Sequence, residues 1–308
     1  MPPPDQAFTP PNHPSWAQHP ERGSLTMLRV ITWISMKLGR RQARAILHLI
    51  AGYFFLFAPT ARRSSRAYLT RALGQPARIW HIYHHFLTFA ATVHDRIYLL
   101  NNRFDLFDIH VHQPEAIDAA IAAGQGALLL GAHLGSFEML RGVGQRHGGS
   151  RVVMVMYEQN ARRINSMLSA INPIIEQNVI PPGRMDSMIR VHEQLENGAL
   201  VGLLGDRLFN KEKVQSIPFL GKPALWPSGP FRMAATLHRP IFFMVALHTK
   251  PGKYEIFFEQ LADFTDVERN DREVVLHRAM EKYVSLLDKY CHVAPYNWFN
   301  FFDFWQQG

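Results

Sequence analysis

The chain has 308 residues and is 47% hydrophobic, enough for one large α/β domain with an accessory helical segment, and too apolar to be disordered throughout. Its formal charge of +8 favours anionic partners: phospholipid head groups, an acidic carrier protein or nucleic acid. A single cysteine, Cys291, excludes an intramolecular disulfide and a cysteine-based zinc site. The first residues are rich in proline and polar groups and lack a basic stretch followed by an apolar run. They read as a disordered lead over 1–23, with no secretory signal.

Residues 24–110 read as a helical, membrane-associating segment. Leu25 to Ala58 is helical in pattern, with Lys37, Arg40, Arg41 and Arg44 at its centre. The uncharged run Ala45 to Ala58 contains Tyr53-Phe54-Phe55-Leu56-Phe57. At roughly 14 residues it falls short of the ~20 needed to span a bilayer. Arg62, Arg63, Arg66 and Arg71 follow. An apolar aromatic segment bracketed by arginines suits an amphipathic helix lying in a membrane interface; the plainer reading is a buried helix with a solvated arginine face. Pro76 to Leu100 is a further helix. Its His81, His84 and His85 resemble one histidine box of the membrane di-iron desaturases, but the other boxes and the long spanning helices are missing. A helix-surface cluster, or one packed under the domain, is expected instead.

Residues 111–308 read as the α/β domain. Helices are expected at Pro114 to Ala123, Ser136 to His147, Arg162 to Ile171, Met185 to Asn197, Pro230 to Leu237 and Val267 to Tyr290. Strands are expected at Ala127 to Leu130, Arg151 to Met156, Leu200 to Leu204, Ile241 to Leu247 and Tyr254 to Phe258. Pro181-Pro182-Gly183 reads as a turn. The alternation predicts a mixed, largely parallel sheet flanked by helices.

The strongest chemical signal comes after the first buried strand: Gly131-Ala132-His133-Leu134-Gly135-Ser136-Phe137-Glu138. A strand end followed by a helix start is where open α/β sheets place their ligands. Imidazole takes a proton at neutral pH, and a nearby carboxylate can fix its tautomer, so His133 with Glu138 reads as a base able to activate an alcohol. The competing reading is a structural histidine, although the flanking glycines suit a tight turn or close approach to a ligand. Gly205-Asp206-Arg207, at another strand end, could orient a substrate or bind a phosphate, or simply form a local ion pair. No Gly-x-Ser-x-Gly elbow, phosphate-binding loop, dinucleotide fingerprint or His-Glu-x-x-His motif is present.

His133 to Glu138 is similar to the His-x4-acid motif of the glycerolipid and lipid A acyltransferase superfamily. Its glutamate resembles the bacterial late lipid A branch. Val201 to Arg207, Phe219-Leu220-Gly221, Pro227-Ser228-Gly229-Pro230, His238-Arg239-Pro240-Ile241 and the tail Pro295 to Trp305 resemble later blocks of that branch, in order. The tail looks closest to a subgroup associated with aryl polyene or other envelope lipids. The glycerolipid Phe-Pro-Glu-Gly block is absent, with Gly205-Asp206-Arg207 in its place.

The resemblance implies an acyltransferase that moves a fatty acyl group from an acyl thioester to a hydroxyl or amine of a membrane lipid. The donor would be acyl carrier protein or acyl-CoA. His133 would be the base and Glu138 its partner, with turn amides near Gly135 and Ser136, or Arg207, stabilising the oxyanion. Arg163 and Arg184 are both possible matches to the arginine between the first two blocks, and Asp206 joins the substrate-binding set. No cofactor or metal is expected, and no nucleic acid. The site of action would be the cytoplasmic face of an inner membrane. An esterase or thioesterase of the same geometry, or a lipid-binding protein that kept the fold without the chemistry, are the alternatives.

Overall fold

A computed structural model describes residues 32–35, 37, 39–139, 151–156, 179–181, 185–208 and 213–306. The expected helix at Arg162 to Ile171, most of the one after Ser136, and Arg163 and Arg184 lie outside the described residues.

Three helices come first: α1 (Arg40–Phe57), α2 (Pro59–Ala72) and α3 (Ile79–Leu100). α1 stops at its C-cap Ala58, the expected end of the first helix; Pro59 opens α2, and the two helices meet at 97°. Among the described residues no single helix is long and apolar enough to cross a membrane.

The remaining elements are β1 (Asp108–His112), α4 (Glu115–Ala122), β2 (Ala127–Gly131), β3 (Val152–Val155), β4 (Val179–Ile180), α5 (Met185–Glu196), β5 (Leu200–Leu204), β6 (Val214–Phe219), β7 (Lys222–Pro227), α6 (Gly229–Leu237), β8 (Pro240–Lys250), β9 (Lys253–Asp263) and α7 (Arg272–Val293). Seven strands form one sheet in the order β1-β9-β8-β2-β5-β3-β4. Every pairing in it is parallel except β8 with β9.

All five residues of β2 are buried, as a central parallel strand requires. Leu128 and Leu130 join one core cluster, while Ala127 and Leu129 join a second. Period-two alternation thus fills both faces of the sheet. α7 closes the first cluster with Leu276, Met280, Tyr283, Leu287 and Tyr290, spaced three or four apart along one face.

The sequence pattern does not announce β1, β4 or the β6–β7 hairpin. The hairpin turns at Leu220 and Gly221, both with positive φ (48° and 76°). Such a turn normally advertises itself with Asn-Gly or Asp-Gly. Here leucine holds the first position because it is buried and its amide donates to Asp288 Oδ2 at 2.7 Å.

The N-terminal helices pack on the same core as the sheet. Ala51, Tyr68, Leu69, Ile82 and Phe86 share a cluster with Leu128 and Trp298. Arg40 at the start of α1 donates to the fully buried Asp95 of α3 at 2.9 Å, and Tyr254 of β9 donates to the other oxygen of Asp95 at 2.9 Å. Three elements are thereby locked by one carboxylate.

Candidate active site

β2 and β5 run parallel, with Gly131 opposite Leu204. His133 lies two residues beyond the end of β2, and Asp206 two residues beyond the end of β5. Strand register alone therefore brings them side by side at the carboxyl edge of the sheet, where open α/β folds bind ligands.

The contact is direct. His133 Nδ1 donates to Asp206 Oδ1 at 2.8 Å, and the His133 main-chain amide donates to Asp206 Oδ2 at 2.9 Å. A third donor, the indole Nε1–H of Trp298, reaches Oδ2 at 3.0 Å. With Asp206 ionised, the tautomer is set: Nδ1 carries the hydrogen and Nε2 is left with its lone pair. Asp206 is 2% exposed, whereas 28% of the His133 side chain meets solvent, so the base is reachable while its partner is sealed.

The electrostatics keep both groups in working form. Burial and the nearby Arg207 guanidinium push the His133 ring below its ordinary value, against the opposing pull of Asp206, so it is neutral at neutral pH. Burial raises the Asp206 carboxyl, but the charge and hydrogen bonds of His133, with Arg207 close by, outweigh it and bring it down to about 2. The arrangement is a neutral base next to a permanent anion able to stabilise the imidazolium that forms.

The expectation that Glu138 orients His133 is corrected by the structure. The Nδ1 bond belongs to Asp206, while the buried Glu138 faces Arg96 with 3.4 Å between Oε1 and Nε. The expected oxyanion donors differ as well. Gly135 N–H donates to Asn297 O at 2.9 Å and Ser136 N–H to Ala246 O at 2.8 Å, so both amides are spent on the main chain. Gly135 is required for this packing. Its φ is +74°, and a Cβ there would lie 1.9 Å from Ala246 O. Arg207, partly buried with its guanidinium carbon 5.4 Å from the Phe302 ring centre, is the remaining expected donor.

The tail braces this corner. Trp298 pairs as an antiparallel bridge with Leu134, and Phe299 N–H donates to His133 O at 2.7 Å. The Asn297 side chain grips β8, accepting from His248 N–H at 2.8 Å and donating to His248 O at 3.1 Å. From sequence, Trp298 fits an acyl groove, a membrane interface or the core. Its ring is in fact fully buried, and no local pattern reveals its link to Asp206, a partner 92 residues away.

His81, His84 and His85 of α3 are not gathered into a box. His81 Nδ1 accepts from Arg78 N–H, the exposed His84 stacks on Tyr296, and His85 is buried under the tail. Among the described residues no group of three or more His, Cys, Asp or Glu side chains is arranged to hold a metal ion.

A partly exposed neutral histidine, fixed by a sealed carboxylate at adjoining strand ends, is an arrangement with the chemistry of a general base. Comparison of the whole chain gives that chemistry its class. The family model for bacterial lipid A biosynthesis acyltransferases matches residues 15–307, and the chain belongs to that family. It is accordingly an acyltransferase of the lipid A type. No curated protein matches it.

Proposed function

We propose that the protein transfers a fatty acyl group from an acyl thioester, carried by acyl carrier protein or coenzyme A, to a hydroxyl or amine of a membrane lipid. The observation that carries this reading is the His133–Asp206 pair, with Nε2 unbonded to the carboxylate and the ring partly exposed. Nε2 takes the acceptor's proton as its oxygen or nitrogen attacks the thioester carbonyl. Asp206 stabilises the imidazolium, and Arg207 supports the negative charge on the carbonyl oxygen. Collapse breaks the carbon–sulfur bond, and the departing thiolate recovers the proton from Nε2. No covalent acyl-enzyme is needed. Glu138 pairs with Arg96, and the tautomer of His133 is set by Asp206.

Docking at the cytoplasmic face of an inner membrane is part of the same proposal. Leu49, Tyr53, Leu56 and Phe57 of α1 are more than half exposed, as are Ile79 and Trp80 at the start of α3. Arg63, Arg66 and Arg78 are exposed nearby in the sequence. Apolar side chains beside arginines suit insertion below an anionic head-group layer.

The test is incubation of the enzyme with labelled acyl carrier protein, or labelled acyl-CoA, and a total envelope-lipid extract, followed by mass spectrometry. A labelled lipid whose mass rises by one acyl group supports the proposal and identifies acceptor and donor. Release of free fatty acid alone would assign a thioesterase instead.

A further inference from the structure

We infer that His85 is a positioning residue for the transfer reaction: acting through Trp298, it fixes Asp206 and with it the tautomer of His133. The inference rests on the reading of His133 and Asp206 as the base pair.

The chain of contacts is continuous. Ser65 of α2 lies 2.9 Å from His85 Nδ1, and His85 Nε2 lies 2.9 Å from the main-chain oxygen of Trp298. A carbonyl only accepts, so Nε2 carries the hydrogen, and Nδ1 of the neutral ring accepts from the Ser65 hydroxyl. Burial holds His85 neutral, with its pKa lowered to about 4, so this polarity is fixed at working pH. The ring is fully buried and stacks on Phe301, with their centres 4.6 Å apart and their planes inclined by 29°.

Trp298 converts that anchor into control of the site. Its carbonyl is held by His85 while its indole N–H holds Asp206 Oδ2. Its ring is wedged by Tyr68, Phe219 and Phe304 at 4.9–5.1 Å. The segment 297–299 also pairs with 133–135. One short stretch of tail therefore grips both members of the pair, and His85 grips that stretch from below. The hydrogen bonds of His85 go to Ser65 and Trp298, so its effect on the pair passes through Trp298. This gives His85 a role that neither metal binding nor bare packing supplies.

The test compares His85→Leu, His85→Gln and Trp298→Phe in steady-state transfer. His85→Leu deletes the donor to Trp298, and kcat is expected to fall about 10- to 100-fold with KM within about twofold. His85→Gln restores an N–H at the Nε2 position and is expected to recover most of kcat. Trp298→Phe keeps the aromatic wedge and removes only the indole donor. It is expected to lower kcat similarly and to move the acidic limb of the kcat/KM profile to higher pH, because the Asp206 charge then acts more fully on His133. Should His85→Leu fail to fold, Trp298→Phe and His85→Gln still decide the matter. Unchanged kcat and pH profile in Trp298→Phe, or equal losses in His85→Leu and His85→Gln, would overturn the inference. Near-normal turnover by His133→Ala would instead overturn the base assignment beneath it.

Discussion

Replacing Asp206 with asparagine changes one oxygen to an NH2 group, and the site geometry decides how His133 responds. Three N–H groups converge on the carboxylate: His133 Nδ1–H on Oδ1, and His133 N–H and Trp298 Nε1–H on Oδ2. Asparagine has one acceptor oxygen. Placed where Oδ2 sits, it satisfies the amide and the indole, and its NH2 then faces His133 Nδ1. The ring responds by giving up the Nδ1 hydrogen and carrying it on Nε2, which removes the lone pair that must take the acceptor's proton. The same inversion in a Ser-His-Asp triad costs about 10⁴ in kcat, or ~5.4 kcal/mol of barrier, and a loss of that order is expected here. With the amide reversed, two N–H groups lose their partner, each at about 1–3 kcal/mol of stability, so the first orientation wins. The assay is single-turnover acyl transfer by Asp206→Asn at matched folding, checked by thermal melting. Glu138→Gln, which leaves the Nδ1 bond intact, is expected to lose less. Asp206→Asn activity within about tenfold of wild type, or a larger loss in Glu138→Gln, would refute the reasoning.

The same geometry yields further expected outcomes. Because the His133 ring is held below its ordinary value, kcat/KM is expected to persist as pH drops past 6.5 and to fall only below it; Arg207→Gln removes one of the depressing charges, so a pH–rate profile of that variant should show the acidic limb moved upward. His85 and His94, both buried, and the half-buried His248 are held neutral with pKa values of about 4 against 6.5 unfolded. The unfolded state thus binds more protons below pH 6.5, so stability present above that value should be lost between about pH 6.5 and 4, by up to roughly 3 kcal/mol for fully buried His85; urea titrations across that range would show it. Gly135→Ala places a methyl group on Ala246 O in a left-handed backbone and should cost at least about 3 kcal/mol, read as a drop in urea midpoint. Leu56→Ser with Phe57→Ser should weaken sedimentation with anionic vesicles at least about tenfold while leaving melting temperature within a few degrees, since both side chains are largely exposed.

Much of the fold is legible because burial on both sheet faces writes itself as unbroken apolar runs. Ala127 to Leu130, Leu200 to Leu204 and Ile241 to Leu247 each lie close to the true strand bounds. β9 runs to Asp263, five residues beyond its expected end, because the polar Glu259 and Gln260 interrupt its apolar pattern before the buried Leu261. β1 escapes a sequence reading for a similar reason: its alternate residues are exposed. For the site, His133 and Asp206 each stand out at a strand end. What a linear reading lacks is strand order. Glu138 is five residues from His133 and looks like its partner; Asp206 is 73 residues away and becomes the partner only once β5 is placed beside β2. Trp298 shows the same limit more strongly, since its contribution depends on where a tail lands after the whole sheet has formed.

The most direct test of the central claim is acyl transfer by His133→Ala, measured with the same thioester donor and envelope-lipid acceptor as wild type. The general-base account expects binding of both substrates to survive and turnover to fall about 10²- to 10⁴-fold. Turnover near that of wild type would contradict it, and would move the proton-accepting role to another group at the sheet edge.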